Sequence, residues 1–390
     1  MFSLENVMIS IDSFPHKGYV ILFTATGLFL SYFLVHYFRR TKVQVLFSNE
    51  KFLNFLNRAP SLKSRRFYPF PPISFAIGQC YLAGKKYENA KNLTQIRESF
   101  DYLNGGKGHV EWIIDSTKST EFNSNLIAFI LPEFCSKPNA PYLTDLYARL
   151  IENRIRPVVF IHRFDENKLV LPNEGPVDTT ADIHCAELYV RSKYPNCKLI
   201  GIGHSYGANS LVNYLAAHSK DNIFIAGISI SNPYDFIGSH WQIRYRFIEK
   251  HAMYPIKELV SKNLDEIARG SANFKWSMQE IINATQLKEF DDAFMSKALG
   301  YKDAIDYYLN ISSDKTIWDV QVPLISINAE DDPLVYHKGV PVQAHLKNNN
   351  LIFVLTRKGG HIGWVEGIFK LRRWYLAVVM EFILWILKSS

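Results

Sequence analysis

From residue 109 onward, short apolar runs recur at 109–116, 125–131, 156–162, 198–203, 222–229, 322–328 and 351–356. Each has the length and bounding residues of a strand. Helix-period patterns separate them, around 142–154, 181–193, 206–219 and 368–387. Strands alternating with helices predict an α/β fold, a mostly parallel sheet covered by helices on both faces. The interval 233–319 breaks the alternation. It is helical in pattern and rich in aromatics (Trp241, Tyr245, Phe247, Tyr254, Trp276, Tyr307, Tyr308), and reads as a helical cap inserted between two strands. Residues 43–100 read as mixed short helices with a proline-bounded connector, Tyr68-Pro69-Phe70-Pro71-Pro72. The predicted organisation is an N-terminal anchor over 1–42, a helical extension and linker over 43–105, and an α/β domain over 106–390 that contains the cap.

The anchor is the stretch 19–38, YVILFTATGLFLSYFLVHYF, which carries no formal charge. Its length matches the about 20 residues a helix needs to cross the hydrocarbon core of a bilayer. Aromatic ends and the basic stop Arg39, Arg40 and Lys42 fit a single-pass membrane helix better than a cleaved leader, for which the run is too long. An endomembrane such as the endoplasmic reticulum is the expected location. The basic residues after the span place the body on the cytoplasmic side. Three sequons, at Asn92, Asn283 and Asn310, point to the lumenal side, so the side stays open.

Composition adds little to the fold and something to the partner. The chain has 390 residues, 14% of them aromatic, and a formal net charge of +7. The basic residues are scattered and no nucleic-acid motif is present, so the expected partner is membrane lipid and not nucleic acid. The four cysteines, at 80, 135, 185 and 197, form no CxxC pair and no cluster with metal spacing. No metal or organic cofactor is expected, and oligomeric state is left open.

The chemistry is concentrated at Gly203-His204-Ser205-Tyr206-Gly207, between the run 198–203 and a helical pattern. A strand running into Gly-x-Ser-x-Gly and then a helix is the order of a nucleophile elbow, which lifts the serine Oγ above a sheet. Such a serine needs an acid and then a histidine later in the chain. After 322–328 come Glu330, Asp331 and Asp332; proline at 333 fixes the turn and favours Asp332, with Asp331 second. His361, in Lys358-Gly359-Gly360-His361-Ile362-Gly363, follows the last run in a glycine-rich loop. His204 adjoins the serine on a sharp turn and points elsewhere. The expected site is therefore Ser205, Asp332 and His361, with an oxyanion hole formed by the backbone N–H groups of Tyr206 and Phe134, the latter in Leu131-Pro132-Glu133-Phe134-Cys135.

These motifs resemble the AB hydrolase-4 family of the α/β-hydrolase superfamily, which includes membrane-anchored phospholipases, monoacylglycerol lipases and YheT-like esterases. The resemblance extends to the cap segment (Leu287 to Phe294, Gly300-Tyr301-Lys302, Asp306-Tyr307-Tyr308), to Asn328 through Pro333, to Gly359 through Gly367, and to Asn209 of the elbow. The interval from Asp332 to His361 also looks like the family's, which supports Asp332 over Asp331. The resemblance implies an α/β-hydrolase fold and hydrolysis of carboxylic esters of lipids, with glycerophospholipid or monoacylglycerol as substrate. Two departures stand out. The family's oxyanion loop reads Pro-Gly where this chain has Pro132-Glu133, and its Asn-x-Arg-Gly is replaced by Ile161-His162-Arg163-Phe164. Glu133 motivates an alternative, a catalytically weak lipid-binding protein. An acyltransferase using the same triad is the other.

Overall fold

The computed structural model describes residues 17–38, 41–63, 65, 67, 80–82, 84–86, 92–117, 122, 125–164, 168–221, 223–243, 246–367 and 369–389. Among these, nine strands form one sheet. They are β1 (Val43–Phe47), β2 (Leu93–Asp101), β3 (Lys107–Asp115), β4 (Leu126–Leu131), β5 (Arg156–Ile161), β6 (Lys198–His204), β7 (Phe224–Ile230), β8 (Leu324–Ala329) and β9 (Leu351–Thr356). The spatial order is β1-β9-β8-β7-β6-β4-β5-β3-β2. From β9 to β5 all neighbours run parallel. β1 and the β2–β3 hairpin flank them antiparallel. The seven predicted strands all exist, each within two or three residues of its expected ends.

Both faces of the central strands are apolar, because both are covered. Along β4, Leu126, Ala128 and Ile130 enter one core cluster and Ile127, Phe129 and Leu131 the other. The first cluster is closed by α2 (Lys51–Arg58), α3 (Pro141–Glu152) and a C-terminal helix, Trp374–Ser389. Phe52 and Phe55 of α2 pack on Trp385 of that helix, each with ring centroids 5.6 Å apart. The second is closed by α4 (Thr179–Lys193) and α5 (Tyr206–Ala217). Beneath it lies a buried charge pair, Arg163 Nε to Asp182 Oδ2 at 2.6 Å, with the guanidinium over the Tyr102 ring at 3.7 Å.

Between β7 and β8 the described residues form helices and no strand: α6 (Phe236–Gln242), α7 (Arg246–Lys262), α8 (Leu264–Phe274), α9 (Met278–Asn283), a short helix from Leu287 that passes through a π turn at Asp291–Met295 to Ala298, and α10 (Ala304–Ile311). They share their own apolar cluster with Phe164, Leu171 and Tyr206 of the α/β body. After β8 come α11 (Val342–Lys347) and β9, then a small hairpin of β10 (Val365–Glu366) and β11 (Arg372–Arg373), and finally the C-terminal helix, α12 (Trp374–Ser389).

Two expectations change. The reading of 43–105 as helical extension holds for α2 but not for β1 and β2, which complete the sheet at its two edges. In β2 the side chains are mostly exposed and only Phe100 is buried, so the alternation that announces a strand is missing. Gly105 and Gly106 form the hairpin turn between β2 and β3, with φ of 90° and 86°. The expected membrane span, 19–38, falls within a helix, α1 (Lys17–Phe38), but partly on side chains outside the described residues. Among the described residues no helix is long and apolar enough to cross a membrane.

One ion pair ties the C-terminal helix to the body. Arg373 Nε lies 2.9 Å from Asp145 Oδ2 of α3, and both side chains are buried. Removing one partner strands the other in a low-dielectric site. Asp145→Ala should therefore cost about 3–5 kcal/mol in denaturant unfolding; a loss below about 1 kcal/mol, the value of a surface pair, would contradict this account.

Candidate active site

Ser205 sits between β6 and α5 with φ 52° and ψ −119°, a conformation that L residues rarely adopt. Such a geometry costs about 1–3 kcal/mol and persists only where packing enforces it. The two flanking glycines supply the enforcement. A Cβ on Gly207 would lie 2.2 Å from the Pro132 carbonyl oxygen and 2.3 Å from that of Leu131. One on Gly203 would lie 2.5 Å from Ala208 Cα. The backbone of α5 therefore presses directly against the end of β4, and Ser205 is squeezed out of the turn. Its N–H donates to the Ile230 carbonyl of β7 at 2.9 Å, which ties the turn to the neighbouring strand.

The acid and the histidine come from the turns after β8 and β9. His361 Nε2 is 3.0 Å from Ser205 Oγ, and His361 Nδ1 is 2.8 Å from Asp332 Oδ2. Asp332 is buried, and its Oδ1 accepts the N–H groups of Leu334 and Val335 at 2.9 and 3.2 Å. Asp331 points the other way and accepts from Gly359 and Gly360 N–H at 2.8 and 3.0 Å. Adjacent carboxylates thus divide the work: Asp332 meets the imidazole and Asp331 braces the loop that carries it. Burial alone would lower the affinity of His361 for a proton. The Asp332 charge and hydrogen bond, with the Glu133 charge nearby, carry its pKa above the usual histidine value. His204 faces the other way. Its ring packs on Tyr142 at 4.9 Å between centroids, and burial pushes its pKa down to about 3.

The oxyanion loop departs from expectation in an informative way. A glycine in its first turn was expected to supply unusual backbone freedom at position 133. Glu133 has no positive φ; the left-handed residue is Cys135, at 55°. The Glu133 N–H donates to the Tyr142 hydroxyl at 3.3 Å. Burial pushes its carboxyl above the usual carboxylate range, opposed by the His361 charge and by a hydrogen bond from Tyr142. The Phe134 ring meets the Tyr206 ring edge-on at 5.6 Å. Among the described residues, no protein acceptor takes the N–H of Phe134 or the N–H of Tyr206 at the first position of α5. His162 lines the crevice behind this loop; burial lowers its pKa to about 4, against a hydrogen bond to the Pro132 backbone.

Several further contacts position the site and the cap. Gln242 of α6 donates to the carbonyl oxygens of Asp332 and Val335, both at 3.0 Å, so the cap holds the acid turn. The Cys80 sulfur accepts the His361 N–H at 3.2 Å. Asn209, part of the elbow motif, donates to the Ile311 carbonyl at 2.8 Å and accepts from Ser313 N–H at 3.0 Å, which clamps the end of the cap onto α5. Tyr308 donates to Asp291 in the π turn at 2.5 Å.

No family model matches the chain. Among curated proteins it is 24% identical to phospholipase ABHD3 of Bos taurus over 362 residues, covering 87% of this chain and 83% of that one. By these relatives the chain is similar to lipase/esterase-type α/β-hydrolases. A monoacylglycerol lipase of Saccharomyces cerevisiae is 30% identical over 210 residues, or 52% of this chain and 46% of that one. Among solved structures, an esterase of Pyrococcus furiosus aligns with a TM-score of 0.47 and 15% identity, covering 75% of this chain and 90% of that one. Within the superfamily, these curated relatives match the resemblance to the AB hydrolase-4 family.

The glycine contacts make a direct prediction. Gly207→Ala places a methyl group against two backbone carbonyls that cannot rotate away. It should lower the unfolding free energy by about 3 kcal/mol. A variant with unchanged thermal unfolding would show that the helix and β4 are not pressed together.

Proposed function

We propose that this carboxylic-ester hydrolase cleaves acyl esters of lipids, a phospholipid or a monoacylglycerol, through Ser205, His361 and Asp332. The observation that carries the proposal is the continuous chain from Ser205 Oγ through His361 to Asp332, at 3.0 and 2.8 Å. In this reading His361 Nε2 takes the proton of Ser205 Oγ as the oxygen attacks the acyl carbonyl, and the bond to the alcohol then breaks as the same nitrogen returns the proton to it. Water repeats the sequence on the acyl-enzyme and releases the fatty acid. Asp332 holds the imidazole with Nδ1–H directed at itself and stabilises the imidazolium. The N–H groups of Tyr206 and Phe134 are offered to the tetrahedral oxyanion, where loss of one donor commonly costs about 2.7–4 kcal/mol of barrier.

Two features support a lipid substrate in a membrane. The named relatives are a phospholipase and a monoacylglycerol lipase. The described apolar side chains of α1 are exposed, Phe23 at 75%, Leu28 at 68% and Val35 at 64%, so this helix does not pack into the body. A single-pass anchor over 19–38 in an endomembrane accounts for that exposure. The Glu133 backbone needs no glycine and its N–H is held by the Tyr142 hydroxyl, which favours a working oxyanion loop over a merely lipid-binding protein.

Purified full-length protein should release fatty acid from phospholipid or monoacylglycerol, and Ser205→Ala should release none. Equal rates would refute the triad. Asp332→Asn should lower kcat by about 10⁴-fold, as loss of the correct imidazole tautomer does in such triads. The pH profile has a definite sign. His361 must be neutral to accept the proton, so kcat/KM falls as pH drops through its raised pKa. Glu133→Gln removes one of the charges that raise it, and the acid limb should move to lower pH. A shift to higher pH, or none, would show that Glu133 does not act on His361.

A further inference from the structure

The β10–β11 hairpin follows directly on the His361 loop and carries the most exposed large hydrophobic side chain among the described residues. Phe369 is 103% exposed, in a turn so tight that a Cβ on Gly367, at φ 101°, would lie 2.2 Å from the Lys370 carbonyl oxygen. A phenylalanine held out in solvent gains nothing from the fold. Lys370 beside it is exposed, and Arg372 keeps 59% of its side chain in solvent while pairing with the largely buried Glu366 at 2.8 Å. The neighbouring segment 80–86 adds to the same edge, because Arg373 Nη2 donates to the Lys85 carbonyl at 2.6 Å. There Tyr81 is 58% exposed, with Lys85 Nζ 4.7 Å from its ring centre.

The apolar helix α1 ends close to this edge. Shortly after Phe38, Thr41 and Arg65 exchange backbone hydrogen bonds of 2.6 and 3.0 Å. Two residues on, Phe67 bridges Glu366 of the hairpin. Lys42, exposed, lies at that junction. The aromatic tip, its ring of cations and the end of the apolar helix are thus joined by backbone pairing on one side of the molecule. The His361 N–H reaches the Cys80 sulfur on that same side.

We propose that this edge, formed by Phe369, Lys370 and Arg372 with Tyr81, Lys85 and Lys42, docks onto the surface of a lipid bilayer carrying anionic lipid. The inference rests on the lipid-ester reading above. Aromatic side chains settle at the headgroup level, and lysines beside them are attracted to anionic headgroups. The continuity with α1 and the positive rim select a bilayer over a second protein as the occupant.

The test uses the full chain reconstituted into vesicles of phosphatidylcholine with about one-third phosphatidylserine. In a Ser205→Ala background, Phe369→p-benzoylphenylalanine should photocrosslink to lipid; crosslinking to protein alone, or not at all, would overturn the docking surface. In the active chain, Phe369→Ser with Lys370→Ser should slow hydrolysis of an ester in those vesicles about a hundredfold, the expected effect of losing one membrane-buried aromatic and one surface charge. Hydrolysis of a short, water-soluble ester should stay unchanged. Equal vesicle rates, or a parallel fall on both substrates, would overturn the proposal. Failure of the lipid-ester reading looks different, because the unsubstituted chain would then cleave neither ester while the crosslink is read independently.

Discussion

The structure depends on a steric conflict at one turn. Helix α5 approaches β4 so closely that the Gly207 Cα leaves no room for a methyl group beside the Leu131 and Pro132 carbonyls. Gly203 meets the same limit on the other side, against Ala208. Ser205 absorbs the constraint as φ 52° and ψ −119°, and its Oγ is projected toward the loops beyond the carboxyl ends of β8 and β9. This close approach also starts α5 beside the oxyanion loop, with the Tyr206 N–H unclaimed by its own helix. One packing decision therefore sets the positions of Ser205 and of the Tyr206 N–H.

Electrostatics then specialises neighbouring groups that look alike in sequence. Asp331 and Asp332 are adjacent carboxylates, yet one braces the backbone of Gly359 and Gly360 and the other meets the His361 ring. His204 and His361 are both buried near the serine. One lies among aromatic rings and is held neutral, with its pKa near 3; the other gains proton affinity from Asp332. Glu133 stands where the resembled family has glycine yet keeps an ordinary φ, and the left-handed residue of the loop is Cys135. What Glu133 adds is a carboxyl within electrostatic reach of the His361 imidazole.

The central strands were legible because a parallel sheet covered on both faces needs unbroken apolar runs, and β4 through β9 have them. β1 and β2 were not, because an edge strand can leave most of its side chains in water, as β2 does between Leu93 and Asp101. The serine, acid and histidine were legible from turn chemistry: glycines around Ser205 and His361, and a proline after Asp332. The supports were not. Tyr142, Gln242 and Cys80 reach the site from distant segments, and nothing local in the sequence marks a side chain whose only task is to hold another loop.

The central claim is that the strained turn delivers Ser205 as the activated nucleophile. Reaction with a fluorophosphonate, followed by peptide mass mapping, tests it most directly. The account predicts one adduct, on Ser205 in the peptide that contains Gly203 and Gly207, and its loss when Asp332 is replaced by alanine. A folded chain that reacts elsewhere, or that does not react at all, would contradict it.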